Sequence, residues 1–365
     1  MAATDREQQI LAWIAQNPMI SQNELADLCG ITRSGVAAHI SNLVKKGYLR
    51  GKGYIVAPPS YVAVIGGINM DIFGESAGRI VPNSSNVGRI TYALGGIARN
   101  VSFNLCRLKV PNYLISVYGD DYNGERFKAD ARANAMDITY SRQLPHANTS
   151  TYLSVSGPDG APEIGLDDMS ISDVITPGFL AEREHVIANA RAIVIDTSLS
   201  PESIAWVCGH EGAPIYARVV SVNKAARLAD SLAHLDTVVL SAAETSVLCG
   251  IEAKDEASAD RCADWLLERG VKRVFLFLDG VGMLHRDAEH RWFLPCEPGA
   301  MHRHTNGAAS AALSALVWGS MEGLAFEERS RLAAAAARVV METVESTNSA
   351  LDAELLRARR AQWFE

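Results

Sequence analysis

What the 365-residue chain lacks narrows it first. Its six cysteines (Cys29, Cys106, Cys208, Cys249, Cys262, Cys296) are scattered, and none forms a CxxC pair. That spacing argues against zinc and against a disulfide framework, so reduced thiols in a cytoplasmic protein are expected. No apolar run reaches the roughly 18–20 residues of a membrane span. The opening stretch MAATDREQQ is charged and no apolar h-region follows it, so no secretory signal is expected. Internal repeats are missing too, and the one biased tract, Ala333–Ala337, is a good helix former. Hydrophobic residues at 48% and charged residues at 21% describe an ordinary globular composition. At roughly 100–200 residues per domain, two or three domains are expected.

The net charge of -8 is unevenly spread. Residues 1–57 carry six basic residues (Arg6, Arg33, Lys45, Lys46, Arg50, Lys52) and four acidic ones (Asp5, Glu7, Glu24, Asp27), a net +2 that leaves -10 for the rest. Between Arg33 and Lys52 there are five bases and no acid. A small basic unit joined to a large acidic one suggests two tasks, one of them facing a polyanion.

The basic unit has the periodicity of three helices. Ile10, Leu11 and Ile14 share a helical face, and Asn17-Pro18 ends that helix. Ser21 and Glu24 form a capping box for a second helix, which buries Leu25 and Leu28 and stops at Gly30. A third helix runs from about Thr32 to Lys46, with Val36, Ile40 and Leu43 inward and Gly47 ending it. Residues 48–56 then read as a hairpin with Gly51-Lys52-Gly53 at its tip.

This arrangement resembles a winged helix-turn-helix domain over residues 5–57. In that family the third helix enters the major groove and the wing touches phosphate. The resemblance implies DNA contacts from Arg33, Ser34, His39, Asn42 and Lys45 on the helix, and from Arg50 and Lys52 on the wing. Arg and Asn can read base edges, whereas Lys mainly fixes register on phosphates. The other use of such a module is protein contact or dimerisation, and the retained basic stripe favours DNA. Pro58-Pro59-Ser60 makes a short semi-rigid joint, so the domains are divided as 1–57, a linker at 58–60, and 61–365.

Beyond residue 60, β-type apolar runs alternate with helical patterns. Strands are expected at 61–66, 112–118, 191–196, 213–220, 236–240 and 272–278. Helices are expected near 96–108, 122–135, 201–208, 223–234, 242–249, 257–269, 307–320 and 327–345. The alternation predicts an α/β fold, a doubly wound and mainly parallel sheet. Ligands in such folds sit at the carboxyl ends of the strands. The polar segments 72–94 and 148–166 alternate like edge strands and suit a small β lid over that crevice.

Several motifs then occur in order. Gly66-Gly67-Ile68-Asn69-Met70-Asp71 follows the first strand, and Gly95-Gly96-Ile97-Ala98-Arg99-Asn100 opens a helix. Gly119-Asp120-Asp121-Tyr122-Asn123-Gly124, Asn148-Thr149-Ser150-Thr151-Tyr152 and Asp167-Asp168-Met169 come later. Over about 61–350 the chain resembles the ribokinase-type (PfkB) carbohydrate kinases, and within them the pseudouridine kinase branch. The resemblance implies a sugar or nucleoside site in which Asp71 and Asn100 hydrogen-bond ribose hydroxyls. Gly95 and Gly96 would let the backbone approach the sugar, and Asn69 and Asp168 would complete the polar ring. A turn or helix cap is the plainer role for Asp71 alone. Arg99 faces either an anion or a carboxylate.

The phosphate side departs from the family. There a D-T-x-G-A-G-D motif opens a helix, whose amides form an anion hole and whose last Asp is the general base. Here the segment reads His304-Thr305-Asn306-Gly307-Ala308-Ala309-Ser310, with Gly307, Ala308 and Ala309 at the anion hole and Ser310 at the base position. Losing a positioned general base costs about 10²–10⁴ in rate. His302 and His304 are candidate substitute bases, but both precede the helix. The family's N-x-x-E is reduced to Glu244 within Ser241-Ala242-Ala243-Glu244. Its T-x-G-x-x-G reads Phe277-Leu278-Asp279-Gly280-Val281-Gly282, which lacks the Thr and the first Gly and keeps Gly282. A family Asp is replaced by Arg218.

The reading that follows is a transcription regulator built on a kinase fold, binding operator DNA and a nucleoside or sugar, most plausibly pseudouridine. A homodimer is expected, because helix-turn-helix heads read paired half-sites. Closure of the lid on ligand would change the spacing of the two heads. The alternative is a working ATP-dependent nucleoside or sugar kinase, with Mg-ATP near Glu244 and Gly307. A third reading is a protein-interaction scaffold with neither activity. No metal site is expected with certainty.

Overall fold

The computed structural model describes residues 2–17, 20–49, 60–159, 162–210, 212–296 and 307–364. Three helices come first: α1 (Asp5–Gln16), α2 (Gln22–Cys29) and α3 (Arg33–Lys45). Capping boxes start α1 and α2, through Thr4 with Glu7 and Ser21 with Glu24. Gly30 ends α2 in the left-handed region at φ 62°. Ile10, Ile14, Leu25, Val36, Ile40 and Leu43 form the shared core. Leu28, expected inside, is 47% exposed. At about 100° per residue the buried stripe of α2 runs through Leu25, Ala26 and Cys29, and Leu28 falls on its edge. Lys46 pairs with the buried Glu7 at 2.6 Å and ties the end of α3 to α1. Of the expected hairpin, only Tyr48 and Leu49 lie within the described residues; Arg50 and Lys52 lie outside them.

The larger unit has strands β1 (Val62–Ile65), β2 (Asn69–Ser76), β3 (Gly88–Gly95), β4 (Asn112–Ile115), β5 (Val117–Gly119), β6 (Arg142–Leu144) and β7 (Thr151–Ser156). They continue as β8 (Pro162–Asp168), β9 (Ala192–Asp196), β10 (Ile215–Arg218), β11 (Thr237–Ser241), β12 (Arg273–Leu278), β13 (Gly282–Arg286) and β14 (Arg291–Pro295). Its helices are α4 (Ile97–Arg107), α5 (Tyr122–Ala133), α6 (Pro177–Ala181), α7 (Glu184–Ile187) and α8 (Pro201–Cys208). The remainder are α9 (Ala242–Cys249), α10 (Glu256–Glu268), α11 (Ala308–Met321), α12 (Phe326–Met341) and α13 (Ala353–Phe364).

Eight strands form one sheet in the order β14-β13-β12-β11-β10-β9-β1-β4. Pairing is parallel from β4 through β12 and antiparallel for β13 and β14. Both faces are buried. Ala63 and Ile65 feed the core on one side, Val62 and Val64 the core on the other. This is the doubly wound sheet expected, and continuous apolar strands are its signature. The Ala run is wholly buried in α12, where small side chains let α12 pack against α11.

Parts of the expected pattern are corrected. The run 112–118 is two strands, because Ser116 turns inward and its Oγ donates to the Gly66 carbonyl at 2.5 Å. Residues 222–234 form 3₁₀ turns rather than an α-helix. The helix expected at 327–345 stops at Met341. The hairpin β13–β14 and helix α13 carry no strong pattern; α13 has Leu356 as its buried residue.

A second sheet, β3-β2-β7-β8, is built from the two polar segments. β2 and β7 pair in parallel, and the outer strands pair antiparallel to them. β2 starts four residues after β1 ends, and β3 leads directly into α4. The lid therefore rises from the carboxyl end of the main sheet, which is where ligands of such folds bind.

Candidate functional site

The side expected to hold a sugar begins at the turn after β1. Gly66 has φ +156°, and a Cβ there would stand 2.2 Å from Asp196 Oδ2. Asp196 ends β9 and is 1% exposed. Its carboxylate accepts from the backbone N–H of Gly67 at 2.9 Å, of Ala98 at 3.1 Å and of Ser198 at 2.8 Å. The Ser198 hydroxyl also donates to it. One buried acid thus fastens β9, the turn after β1 and the start of α4. Burial raises its pKa, against the pull of those hydrogen bonds. Asp196 carries no motif; its one sequence signal is an acid closing the apolar run Ala192-Ile193-Val194-Ile195.

Asn69, Asp71, Gly95 and Gly96 meet beside this turn. Asn69 Nδ2 donates to Asp71 Oδ1 at 2.5 Å. Asn69 faces Gly95 across the β2–β3 ladder. A Cβ on Gly95 would lie 2.2 Å from Asp71 Oδ2, so glycine here is what makes room for the carboxylate. Gly96 has φ +93° and opens α4, and a Cβ there would strike the Gly67 carbonyl at 2.4 Å. Burial pushes the Asp71 pKa from an ordinary 3.8 to about 6, with the Asn69 hydrogen bond and the Arg99 charge pulling the other way. Asn100 is buried on α4, and its Oδ1 accepts from Arg99 Nη1 at 3.1 Å and Ser346 Oγ at 3.3 Å.

The structure decides the case of Arg99. Its guanidinium is 4% exposed and gives Nε and Nη2 to Asp130 Oδ2, at 3.2 and 2.7 Å. It stacks over Phe103 and also reaches Thr347 Oγ1 at 3.3 Å. Arg99 therefore faces a carboxylate and positions Asn100. Asp168 stands apart. It closes β8 opposite Thr151, which in turn pairs with Met70. At about 4.8 Å per strand that is roughly 10 Å from the β2 backbone. Asp168 is exposed and accepts from Ser170 Oγ at 3.1 Å.

On the side expected to hold phosphate, Gly307 caps α11 with φ +82°, and a Cβ there would fall 1.8 Å from the Ser346 carbonyl oxygen. Ala308, Ala309 and Ser310 make the first turn, with Ser310 3% exposed. A cavity of about 680 Å³ adjoins this turn, lined by Ala308, Ala309, Gly282, Arg218, Met283 and Trp363 among others. The volume is in the range of small-molecule sites, roughly 300–1,000 Å³. Gly282 owes its glycine to the hairpin, because a Cβ would stand 2.2 Å from the Leu294 carbonyl oxygen. His302, His304, Thr305 and Asn306 lie outside the described residues.

Glu244 is spoken for. Arg218 Nη1 meets its Oε2 at 2.5 Å, with Glu244 buried and Arg218 half-buried. The Ser241 backbone N–H donates to the same oxygen at 2.7 Å, as the capping box of α9. ATP-dependent phosphoryl transfer uses a divalent cation to neutralise developing charge. The donor set here does not fit one: the Glu244 carboxylate already holds a permanent cation, and no cluster of three or more His, Cys, Asp or Glu suited to a metal occurs among the described residues.

On α3, Arg33, Ser34, Asn42 and Lys45 are exposed, and His39 is half-buried. Ser34 Oγ lies 3.0 Å from the Thr32 hydroxyl and belongs to the cap of α3.

A helix-turn-helix head on a doubly wound kinase fold with a β lid is the class of protein defined by these features. The chain belongs to the pfkB family of carbohydrate kinases, whose profile matches residues 59–353. The winged helix-turn-helix DNA-binding profile matches residues 4–50. An uncharacterized sugar kinase of Escherichia coli (strain K12) named YeiI is 31% identical over 96% of this chain and 97% of its own length. The pseudouridine kinase of the same organism is 29% identical over 75% of this chain and 88% of its own. Among solved structures, Arabidopsis thaliana ribokinase complexed with ribose and ATP superposes with a TM-score of 0.73 at 19% identity. That match covers 83% of this chain and 99% of the other, and it establishes the fold. No helix among the described residues is long and apolar enough to cross a membrane.

Proposed function

We propose that this chain is a cytoplasmic DNA-binding transcription regulator whose kinase-fold domain binds a nucleoside or sugar and is catalytically impaired. The similarity to a pseudouridine kinase makes pseudouridine the first ligand to try. Asn69, Asp71, Gly95, Gly96 and Asn100 would hold its ribose, with Asp168 at the rim. Residues 1–57 would read operator DNA through Arg33, Ser34, His39, Asn42, Lys45, Arg50 and Lys52, residues 58–60 would act as the joint, and two copies would read paired half-sites.

The observation that carries this reading is the asymmetry of the site. The sugar side is a pre-organised cradle around the Asn69–Asp71 bond. On the other side, the first turn of α11 presents Ser310 in place of an acid. A serine hydroxyl takes no proton near neutral pH without a base of its own. Gly307, Ala308, Ala309, Glu244 and Gly282 would then serve nucleotide binding without transfer.

The test is ADP release with pseudouridine and Mg-ATP, for the native chain beside Ser310→Asp combined with Ala309→Gly. The expected result is silence from the native chain; turnover by the double variant alone would trace that silence to the missing base rather than to the metal side. Turnover by the native chain at an ordinary enzyme rate establishes instead a working ATP-dependent kinase fused to a DNA-binding head. That second reading is favoured by the match to the uncharacterized sugar kinase YeiI along nearly the whole chain.

A further inference from the structure

The mismatch between Glu244 and a divalent cation has a positive counterpart. Arg218 ends β10 and lines the cavity beside α11. Its side chain is largely buried, at 12% exposure, with Glu244 at 6%. Arg218 spends one nitrogen: Nη1 donates to Glu244 Oε2 at 2.5 Å and to the Val239 carbonyl at 3.4 Å. Nε and Nη2 have no partner among the described residues. A guanidinium has five N–H donors and never loses its charge, and its planar fork suits phosphate oxygens.

We propose that this cavity binds a nucleoside diphosphate or triphosphate without a divalent cation, with the Arg218 guanidinium supplying the positive charge that a metal would bring. Glu244 anchors Arg218 from behind, so the guanidinium is held in one place rather than waving from the surface. A dication at Glu244 would have to share one carboxylate with that guanidinium, and two cations on one buried acid repel. Two acids line the cavity, Asp279 on the loop after β12 and Glu342 at the end of α12, and Glu342 pairs with Arg359 at 3.2 Å. They do not rebuild a metal cluster with Glu244. The first turn of α11, with Ala308 and Ala309 at the wall, adds backbone N–H groups to the same space. Apolar walls from Met283 and Trp363 offer a face for a base.

The proposal concerns the nucleotide side alone and stands or falls apart from pseudouridine binding. It is tested by calorimetric titration of ADP into the full chain, once in EDTA and once in excess Mg²⁺. The expected result is the same affinity in both, within about threefold. Binding that requires Mg²⁺, or no ADP binding in either buffer, overturns it. Arg218→Met combined with Glu244→Gln removes both charges, so no lone buried carboxylate is left to unfold the chain. That variant is expected to keep its melting temperature and to weaken ADP in EDTA by roughly tenfold or more, the loss of a charge-assisted hydrogen bond. Unchanged affinity in that variant also overturns the proposal. Arg218→Lys keeps the charge and is expected to keep binding independent of Mg²⁺.

Discussion

The carboxylate of Asp196 holds the backbone N–H of Gly67 at 2.9 Å, joining two neighbouring parallel strands at their carboxyl ends. The same group holds the Ala98 N–H at 3.1 Å, so the start of α4 is set by a residue nearly a hundred positions away. The residues proposed to hold the sugar are set by this one acid.

Asp196→Ala would leave the buried N–H of Ala98 and the half-buried N–H of Gly67 without their acceptor. Each orphaned donor costs about 1–3 kcal/mol. A loss of roughly 2–5 kcal/mol in urea unfolding is expected, together with weaker pseudouridine binding. An unchanged midpoint would show that water replaces the carboxylate at no cost.

Asp71 gives a pH dependence with a definite sign. Its folded pKa, about 6, stands above the ordinary 3.8. The folded chain therefore binds that proton more tightly than the unfolded chain does. The resulting stability is full below about pH 4 and is lost as pH rises through about 6. Asp71→Asn is expected to be more stable than the native chain at pH 8, level with it near pH 4, and unable to hold pseudouridine. Melting curves across pH 4–8 check the first two claims, and a binding titration checks the third.

Gly95→Ala places a methyl carbon where the Asp71 carboxylate stands, at 2.2 Å from Oδ2. The ladder position tolerates alanine, so the effect should fall on the site more than on the fold. Pseudouridine affinity is expected to drop about tenfold or more, with a stability loss of about 1–3 kcal/mol from the displaced acid. Gly96→Ala, strained at φ +93° and meeting the Gly67 carbonyl, should cost more stability than Gly95→Ala. The reverse order would refute the account of the two glycines.

The DNA reading separates two kinds of residue on α3. Arg33→Ala and Asn42→Ala should each cost about 1–3 kcal/mol on a duplex selected from a random pool, and relax its sequence preference. Lys45→Ala should weaken all duplexes alike and lower the salt slope by about one. Gel shifts over a salt series distinguish these outcomes. If no duplex shifts at any salt concentration, the head serves protein contacts.

Much of the fold is legible in the chain because its signals are local. Apolar strands such as Ile193-Val194-Ile195 and the capping box at Ser21 depend on residues a few positions apart. The 3₁₀ run at 222–234, the break at Ser116 and helix α13 are less legible. Each is settled by contacts across the fold, as when Ser116 turns to the Gly66 carbonyl. The site divides the same way. Asn69, Asp71, Gly95 and Gly96 announce themselves as motifs, whereas Asp196 is a single acid whose partners lie on distant segments.

The sequence by itself determined much of the order of elements, the basic head, and the glycines and the serine that stand at the expected sugar and base positions. These are properties of residue type and short spacing. Only the tertiary structure decided that Arg99 answers Asp130, that Asp196 binds three segments together, and that Arg218 occupies the carboxylate of Glu244. Charged groups buried at the end of a parallel sheet must find partners, and the partner is chosen by which strands lie side by side. That adjacency is a fact of topology, and spacing along the chain does not encode it.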